Sequence, residues 1–309
     1  MNNRQLVVAV LVSVIFYCLE FRTQSNPSAE SIHDHLEQIT KTDGFRTHDN
    51  LPLLNKTAAY IYNHFSQYAD TTYFQKYSAS DKVYKNVVCR FGDIDKPTII
   101  IGAHYDVCGA QEGADDNASG VVGLLELAVL LKSEKLDYCI ELVAYTLEEP
   151  PYFRTEKMGS YIHAESLIAQ KRNIYGMISL EMIGYFDDAK KSQKYPLGVL
   201  SWIYGNKGDY ITLVNKFGKG KFARKFSKKF RSNRKIRTKK FTGPKSMPGI
   251  DFSDHLNYWA FGLSAMMITD TAFYRNMNYH RSNDKMEVLD LERMSRVIET
   301  VFVALKKLK

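Results

Sequence analysis

The chain has 309 residues, 45% of them hydrophobic and 25% charged, enough to bury one large α/β core and too apolar for a disordered or fibrous protein. Its formal charge of +8 does not indicate a nucleic-acid partner, because the surplus is local. Thirteen Lys or Arg residues fall between Lys216 and Lys240, more than the whole net excess, so the rest of the chain is mildly acidic.

At the amino terminus, Arg4 precedes an apolar run from Leu6 to Leu19 broken only by Ser13. The run is short for a membrane span, which takes about 20 residues, and it suits the apolar core of a secretory signal. Residues 1–25 are expected to be a signal peptide cleaved after Ser25 or an uncleaved membrane anchor, with a buried amino-terminal helix as a third reading. Export or anchoring places residues 26–309, expected to form a single domain, in an extracytoplasmic compartment (periplasmic or secreted). Cys18 lacks the small residues that precede a lipidated cysteine.

Residues 26–50 are polar and are expected to wrap the surface. Leu54 to Ala69 reads as an amphipathic helix with Ala58, Ile61, Tyr62 and Phe65 on one face. Val83–Phe91 and Pro97–Ala103 read as strands around a Gly92–Asp95 turn. Ala118 to Leu131 is apolar nearly all round, the mark of a deeply buried helix, and Asn117 is placed to cap it. A strand follows over Cys139–Leu147, a helix over Gly159–Ala169, and strands over Met177–Ile183 and Leu197–Tyr204. In the basic stretch Phe222, Phe226 and Phe230 recur every four residues, predicting an amphipathic helix docked on the sheet, with attraction to anionic lipid or nucleic acid as the alternative, the lipid version being the more coherent with an amino-terminal anchor. A buried strand over Leu263–Thr269 and a helix over Leu289–Lys307 close the chain. Strands alternating with helices predict an α/β fold of three layers, helices on both faces of a mixed, mostly parallel sheet. Cys89 and Cys139 fall in expected strands as buried thiols, and a disulfide between them is an option only for an exported chain.

Five short motifs sit where these strands end: His104-Tyr105-Asp106, Asp115-Asp116-Asn117, Glu148-Glu149, Glu181-Met182-Ile183 and Tyr279-His280. Each alone is a common turn, cap or surface pair. Glu148, Glu149 and Glu181 adjoin apolar strand interiors, however, where unpaired charge is expensive. Ligands of an open α/β sheet bind beyond the carboxyl ends of its strands, and histidines with carboxylates converging there suit a divalent metal, zinc foremost. In this reading His104 binds metal and Asp106 orients a neighbouring group. Asp116 bridges two metals with one oxygen each. One of Glu148 and Glu149 ligates while the other faces the attacking water, and Glu181 and His280 complete the two coordination spheres. Cys108 lies close to His104 but is not expected to ligate.

In this order the motifs resemble the aminopeptidase Y family of zinc peptidases (peptidase family 28 of the metallo class), over roughly residues 50–305. Gly113–Gly120, Asp251-Phe252-Ser253-Asp254-His255 and Ile268–Tyr274 match closely. The resemblance implies the zinc-peptidase (phosphorylase/hydrolase-like) fold and two zinc ions. One is held by His104 and Glu181, the other by Glu149 and His280, with Asp116 bridging. It implies Glu148 as general base, Tyr279 as an oxyanion stabiliser and Asp254 as a support beside the site. The implied activity is removal of residues from peptide or protein amino termini. A glutaminyl cyclase on the same scaffold and an inactive binding module are the alternatives. Membrane association through residues 6–19 and the basic 216–240 stretch is a further expectation. Two departures stand out: Glu181 occupies a position that is often Asp in the family, and Pro150-Pro151-Tyr152-Phe153 replaces a glycine-rich turn.

Overall fold

The computed structural model describes residues 27–218 and 220–308. The expected signal or anchor, residues 1–25, and Cys18 lie outside the described residues. Among the described residues no helix is long and apolar enough to cross a membrane.

The strands are β1 (Thr71–Ala79), β2 (Lys82–Phe91), β3 (Thr98–His104), β4 (Cys139–Tyr145), β5 (Ile174–Glu181), β6 (Ile211–Lys216), β7 (Thr238–Gly243) and β8 (Ala265–Thr269). They form one sheet in the order β1-β2-β4-β3-β5-β8-β6-β7. The central strands β4, β3, β5 and β8 run parallel, so their carboxyl ends share one edge. β2 joins β4 antiparallel, and β6 joins β8 antiparallel. The helices are α1 (Ala29–Thr40), α2 (Leu51–Ser66), α3 (Gly120–Leu131), α4 (Gly159–Ala169), α5 (Leu200–Tyr204), α6 (Lys221–Asn233), α7 (His255–Ala260) and α8 (Leu291–Lys306).

Side-chain alternation along the inner strands supplies two cores, as a sheet covered on both faces requires. Ile99, Ile101, Ile140, Leu142, Ile178 and Leu180 pack on one face, under α1, α2, α3, α6 and α8. Ile100, Val143, Tyr145, Met177 and Met267 pack on the other, under α4 and α7. The start of α3 presses on the end of β5: a Cβ at Gly120 would lie 2.5 Å from the Leu180 carbonyl oxygen. The three-layer α/β/α architecture is as expected.

Several local expectations need correction. Residues 26–50 are not merely a surface wrap: α1 buries Ile32, Leu36 and Ile39 along one face, a stripe hidden in polar composition. Leu197–Tyr204 is not a strand. Its second half is the short helix α5, with Trp202 87% exposed, because no neighbouring strand offers it a ladder. The Gly92–Asp95 turn does not make β2 and β3 neighbours, since β4 lies between them. β1, β6, β7 and α7 had no expectation attached. In the basic stretch, α6 buries Phe222, Phe226 and Phe230 completely, as the four-residue spacing predicts. Cys89 and Cys139 are buried free thiols. Cys89 pairs with Leu142, which leaves Cys139 about three residues along β4, roughly 10 Å away and beyond disulfide reach.

Candidate metal centre

Each expected ligand arrives from the carboxyl edge of the parallel strands. His104 ends β3, Glu148 and Glu149 follow β4, Glu181 ends β5, and Asp116 lies in the turn entering α3. His104 Nδ1 donates to the Asp106 carbonyl at 3.1 Å, because a carbonyl can only accept. That bond turns Nε2 toward Asp116 Oδ1 at 3.4 Å and Glu181 Oε1 at 3.5 Å. His280 Nε2 reaches Asp116 Oδ2 at 3.1 Å and Glu149 Oε2 at 3.2 Å. The two oxygens of Asp116 thus face two different imidazoles.

The ligand-bearing residues are held by a surrounding set of side chains. The Asp106 carboxylate accepts the backbone N–H groups of Glu148 and Glu149 at 3.2 and 3.1 Å, fixing the glutamate pair. Asp284 accepts those of Asp115 and Asp116 at 2.9 and 3.0 Å. Ser253 Oγ donates to Glu181 Oε2 at 2.7 Å. Asn117 donates to the Leu180 carbonyl and to Glu181, while its side-chain oxygen accepts from Gly120 and Met182. The buried Arg46 guanidinium donates to the carbonyls of Ile39, Tyr105, Glu112 and Gly113, clamping the loop ahead of Asp115. Leu147, Met182 and His280 hold φ at 61°, 51° and 56°, a left-handed region that costs a non-glycine residue about 1–2 kcal/mol. Such strain persists where surrounding structure fixes the position of functional groups.

Of the residues expected at the site, His104, Asp106, Asp116, Glu148, Glu149, Glu181 and His280 are brought together by the structure. Tyr279 stacks its ring on His280, with centroids 3.8 Å apart, and lines the adjoining cavity. Asp254 is buried beneath the site with neither carboxylate oxygen hydrogen-bonded, and burial lifts its pKa to about 7. Asp284 and Arg46 were missed, as was the reach of Asn117 and Ser253 to Glu181, although Asn117 accepts the Gly120 N–H at the start of α3, as expected of a cap. Their partners are mostly backbone groups of distant segments, which leave no local signal.

The electrostatics call for a cation. Burial disfavours the charged form of His104, yet the Glu181 and Glu148 carboxylates raise its pKa well above the usual imidazole range. His280 is lifted to about 10 against its burial by Asp116 and Glu149. Burial pushes Glu149 up to about 7, reinforced by Asp116. It also drives Glu148 well above the carboxylate range, opposed by His104 and reinforced by Glu149 and Glu181. Asp116 Oδ2, Glu149 Oε1 and His280 Nε2 are buried without any hydrogen-bond partner, although the first and last lie only 3.1 Å apart. Donor atoms that converge without bonding one another fit a metal, and oxygen with imidazole nitrogen fits zinc. Ligand atoms of His104, Asp116 and Glu149 lie within 4.8 Å of one another, as do those of Cys108, Glu149 and His280. Beside them opens a cavity of about 290 Å³, with Phe153, Phe252, Phe273, Met247 and Ile250 in its walls.

The sequence pattern of Peptidase family M28 matches residues 86–305. The chain belongs to peptidase family M28. It is thereby a hydrolase of the metallopeptidase class, built on the fold the resemblance implied. YfbL of Escherichia coli (strain K12) is 41% identical to this chain, across 97% of it and 96% of YfbL. Leucine aminopeptidase 1 of Pyrenophora teres f. teres (strain 0-1) is 29% identical, across 66% of this chain and 50% of that protein. The M28 chain therefore spans about half the length of the leucine aminopeptidase. Two solved structures are similar in fold. The LapA aminopeptidase of Legionella pneumophila has a TM-score of 0.70 at 21% identity, across 92% of this chain and 73% of that one. The glutaminyl cyclase of Bacteroides thetaiotaomicron has a TM-score of 0.67 at 17% identity, across 92% and 99%.

Proposed function

We propose that this M28 chain is an aminopeptidase with a two-zinc centre. In this reading His104 and Glu181 hold one ion, Glu149 and His280 hold the other, and Asp116 serves both. The observation that carries it is the placement of the two Asp116 oxygens toward separate imidazoles, at 3.4 and 3.1 Å. Bound zinc supplies an acidified water and a polarised scissile carbonyl. Glu148 Oε2 lies 3.9 Å from His104 Nε2, farther than Asp116 Oδ1 and Glu181 Oε1 at 3.4 and 3.5 Å, at the edge of the centre. It takes the proton of the attacking water and returns it to the nitrogen of the leaving amine. Asp106 keeps the Glu148 backbone in place during that transfer. The Tyr279 phenol stays protonated, because burial and the nearby carboxylates raise its pKa, so its O–H donates to the carbonyl oxygen as charge develops there.

Hydrolysis of aminoacyl reporter amides, abolished by chelator and restored by zinc, is the expected result. Glu148→Gln is expected to lower kcat by about 10²–10⁴ while metal content, measured by atomic absorption, stays at the wild-type level. A fully active Glu148→Gln protein would refute the mechanism. Glutaminyl cyclisation is the competing activity, and the presence of all five ligand positions, His104, Asp116, Glu149, Glu181 and His280, favours hydrolysis over it. Mass analysis separates them: a peptide beginning with glutamine loses its first residue under hydrolysis and only ammonia under cyclisation. We also propose export or anchoring through the Leu6–Leu19 segment, testable by cell fractionation and amino-terminal sequencing. Association of the basic 216–240 stretch with membranes gains no support from α6, whose phenylalanines are spent on the core.

A further inference from the structure

Glu181 begins a row of register partners that crosses the sheet. It pairs with Thr269 on β8, Thr269 with Thr212 on β6, and Thr212 with Lys239 on β7. Register partners point to the same face, and all four residues line the cavity beside the metal centre. The neighbouring row of Met267, Val214 and Phe241 lines it too and is apolar. One polar track therefore leads from a candidate metal ligand, past two hydroxyls, to a lysine.

The far end of this track is not satisfied by the fold. The Thr212 hydroxyl is buried without a hydrogen-bond partner, in a residue only 6% exposed. Lys239 Nζ lies 3.6 Å from the centre of the Tyr210 ring. The charged groups that act on it are Arg237, Asp209 and Arg275. Asp209, the one acid among them, is paired with Arg237. Arg275 lies over the same Tyr210 ring at 4.7 Å, with its Nη2 buried and unbonded. This wall thus carries an excess of positive charge, and an anion entering the cavity would meet a cation already partly stripped of water.

We propose that this end of the cavity is a carboxylate subsite, in which Lys239 and the Thr212 hydroxyl receive a carboxylate of the peptide whose amino end lies at the metal centre. The inference rests on the aminopeptidase reading of that centre. Three strand spacings separate Glu181 from Lys239, about 14 Å. Peptide residues span about 3.3–3.6 Å each, so peptides of roughly three to four residues bridge the two ends. The carboxylate comes from a free carboxyl terminus or from an acidic side chain near it.

Two substrate pairs distinguish these sources on the zinc-loaded protein: Leu-Gly-Gly against its carboxyl-terminal amide, and Leu-Gly-Glu-amide against Leu-Gly-Gln-amide. The expected result is that the carboxylate member of at least one pair is favoured by at least about tenfold in kcat/KM. Lys239→Met removes that preference by raising KM and leaves hydrolysis of neutral leucine p-nitroanilide unchanged. Lys239→Arg retains it, and Thr212→Val weakens it. The subsite is overturned if wild type shows no preference in either pair, if the preference survives in Lys239→Met, or if that variant loses the neutral reporter equally. If no peptide is cleaved, the aminopeptidase reading fails instead. Calorimetric binding of Leu-Gly-Gly, weakened or unchanged by Lys239→Met, then decides the subsite independently.

Discussion

Asp284 accepts two successive backbone N–H groups, those of Asp115 and Asp116, and its own pKa is pushed to about 8 by burial and by the Asp115 charge. An asparagine there keeps the volume but sets an amide donor against one of those N–H groups. Asp284→Asn is therefore expected to loosen Asp116 and to lower metal affinity by about 10–100-fold, while the far-ultraviolet dichroism of the fold is unchanged. Competition with a graded series of chelators measures it, and wild-type affinity would sink this positioning role. The contrast between Asp284 and Glu149 shows what the chain discloses before folding. Glu149 follows an apolar strand, where a charge is conspicuous because it is costly. Asp284 lies in a polar loop and finds its partners about 170 residues away, so nothing near it in the chain marks its task. The same holds for Arg46, whose four acceptors are all backbone carbonyls, whereas Asn117 was marked as a helix cap and only its reach across to β5 was hidden.

Elements with a dense apolar stripe or an unbroken apolar run were legible, and those without were not, including α1, whose stripe is diluted by polar residues. In α6 the spacing of Phe222, Phe226 and Phe230 gave both the helix and its buried face. Phe226→Ala is expected to cost about 3–5 kcal/mol in urea unfolding, whereas Lys228→Glu on the exposed face changes stability by less than about 0.5 kcal/mol. Equal effects at the two positions would show that the helix is not docked as described. β1 is an edge strand whose residues are mostly half-buried or exposed, so it lacks the continuous apolar run that identifies β3. Its hairpin to β2 turns on Ser80 and Asp81, both with positive φ, in place of the Asn-Gly pair that signals such a turn. β7 is masked by the basic composition around it. Arg46 links α1 to the exit of β3. Arg46→Met leaves four buried carbonyls without that donor and is expected to destabilise by at least about 3 kcal/mol, read from the shift in urea midpoint.

At the scale of the whole molecule, two histidines that are not candidate ligands weaken the fold toward acid. Burial lowers His255 to about 4, and burial with the His64 charge lowers His35 to about 4. Both prefer the neutral form when folded, while the unfolded chain takes up their protons near pH 6.5. Their contribution is therefore present above about pH 6.5 and is lost as pH falls through about 4, up to about 3 kcal/mol for each. Urea unfolding of metal-free wild type and of His35→Gln at about pH 7 and about pH 4.5 tests this. The wild type is expected to lose more stability, or gain less, than the variant over that interval, and the same change in both would contradict it. The shared Asp116 carboxylate carries a different consequence at the same scale. Turning one of its oxygens necessarily turns the other, so the halves around His104 and His280 exchange free energy and cannot be altered singly. In a double-mutant cycle, His104→Ala and His280→Ala are expected to be non-additive in metal affinity by about 0.5–3 kcal/mol. A disturbance entering from β3 is then felt at a histidine 176 residues further along the chain, through the rotation of one carboxylate.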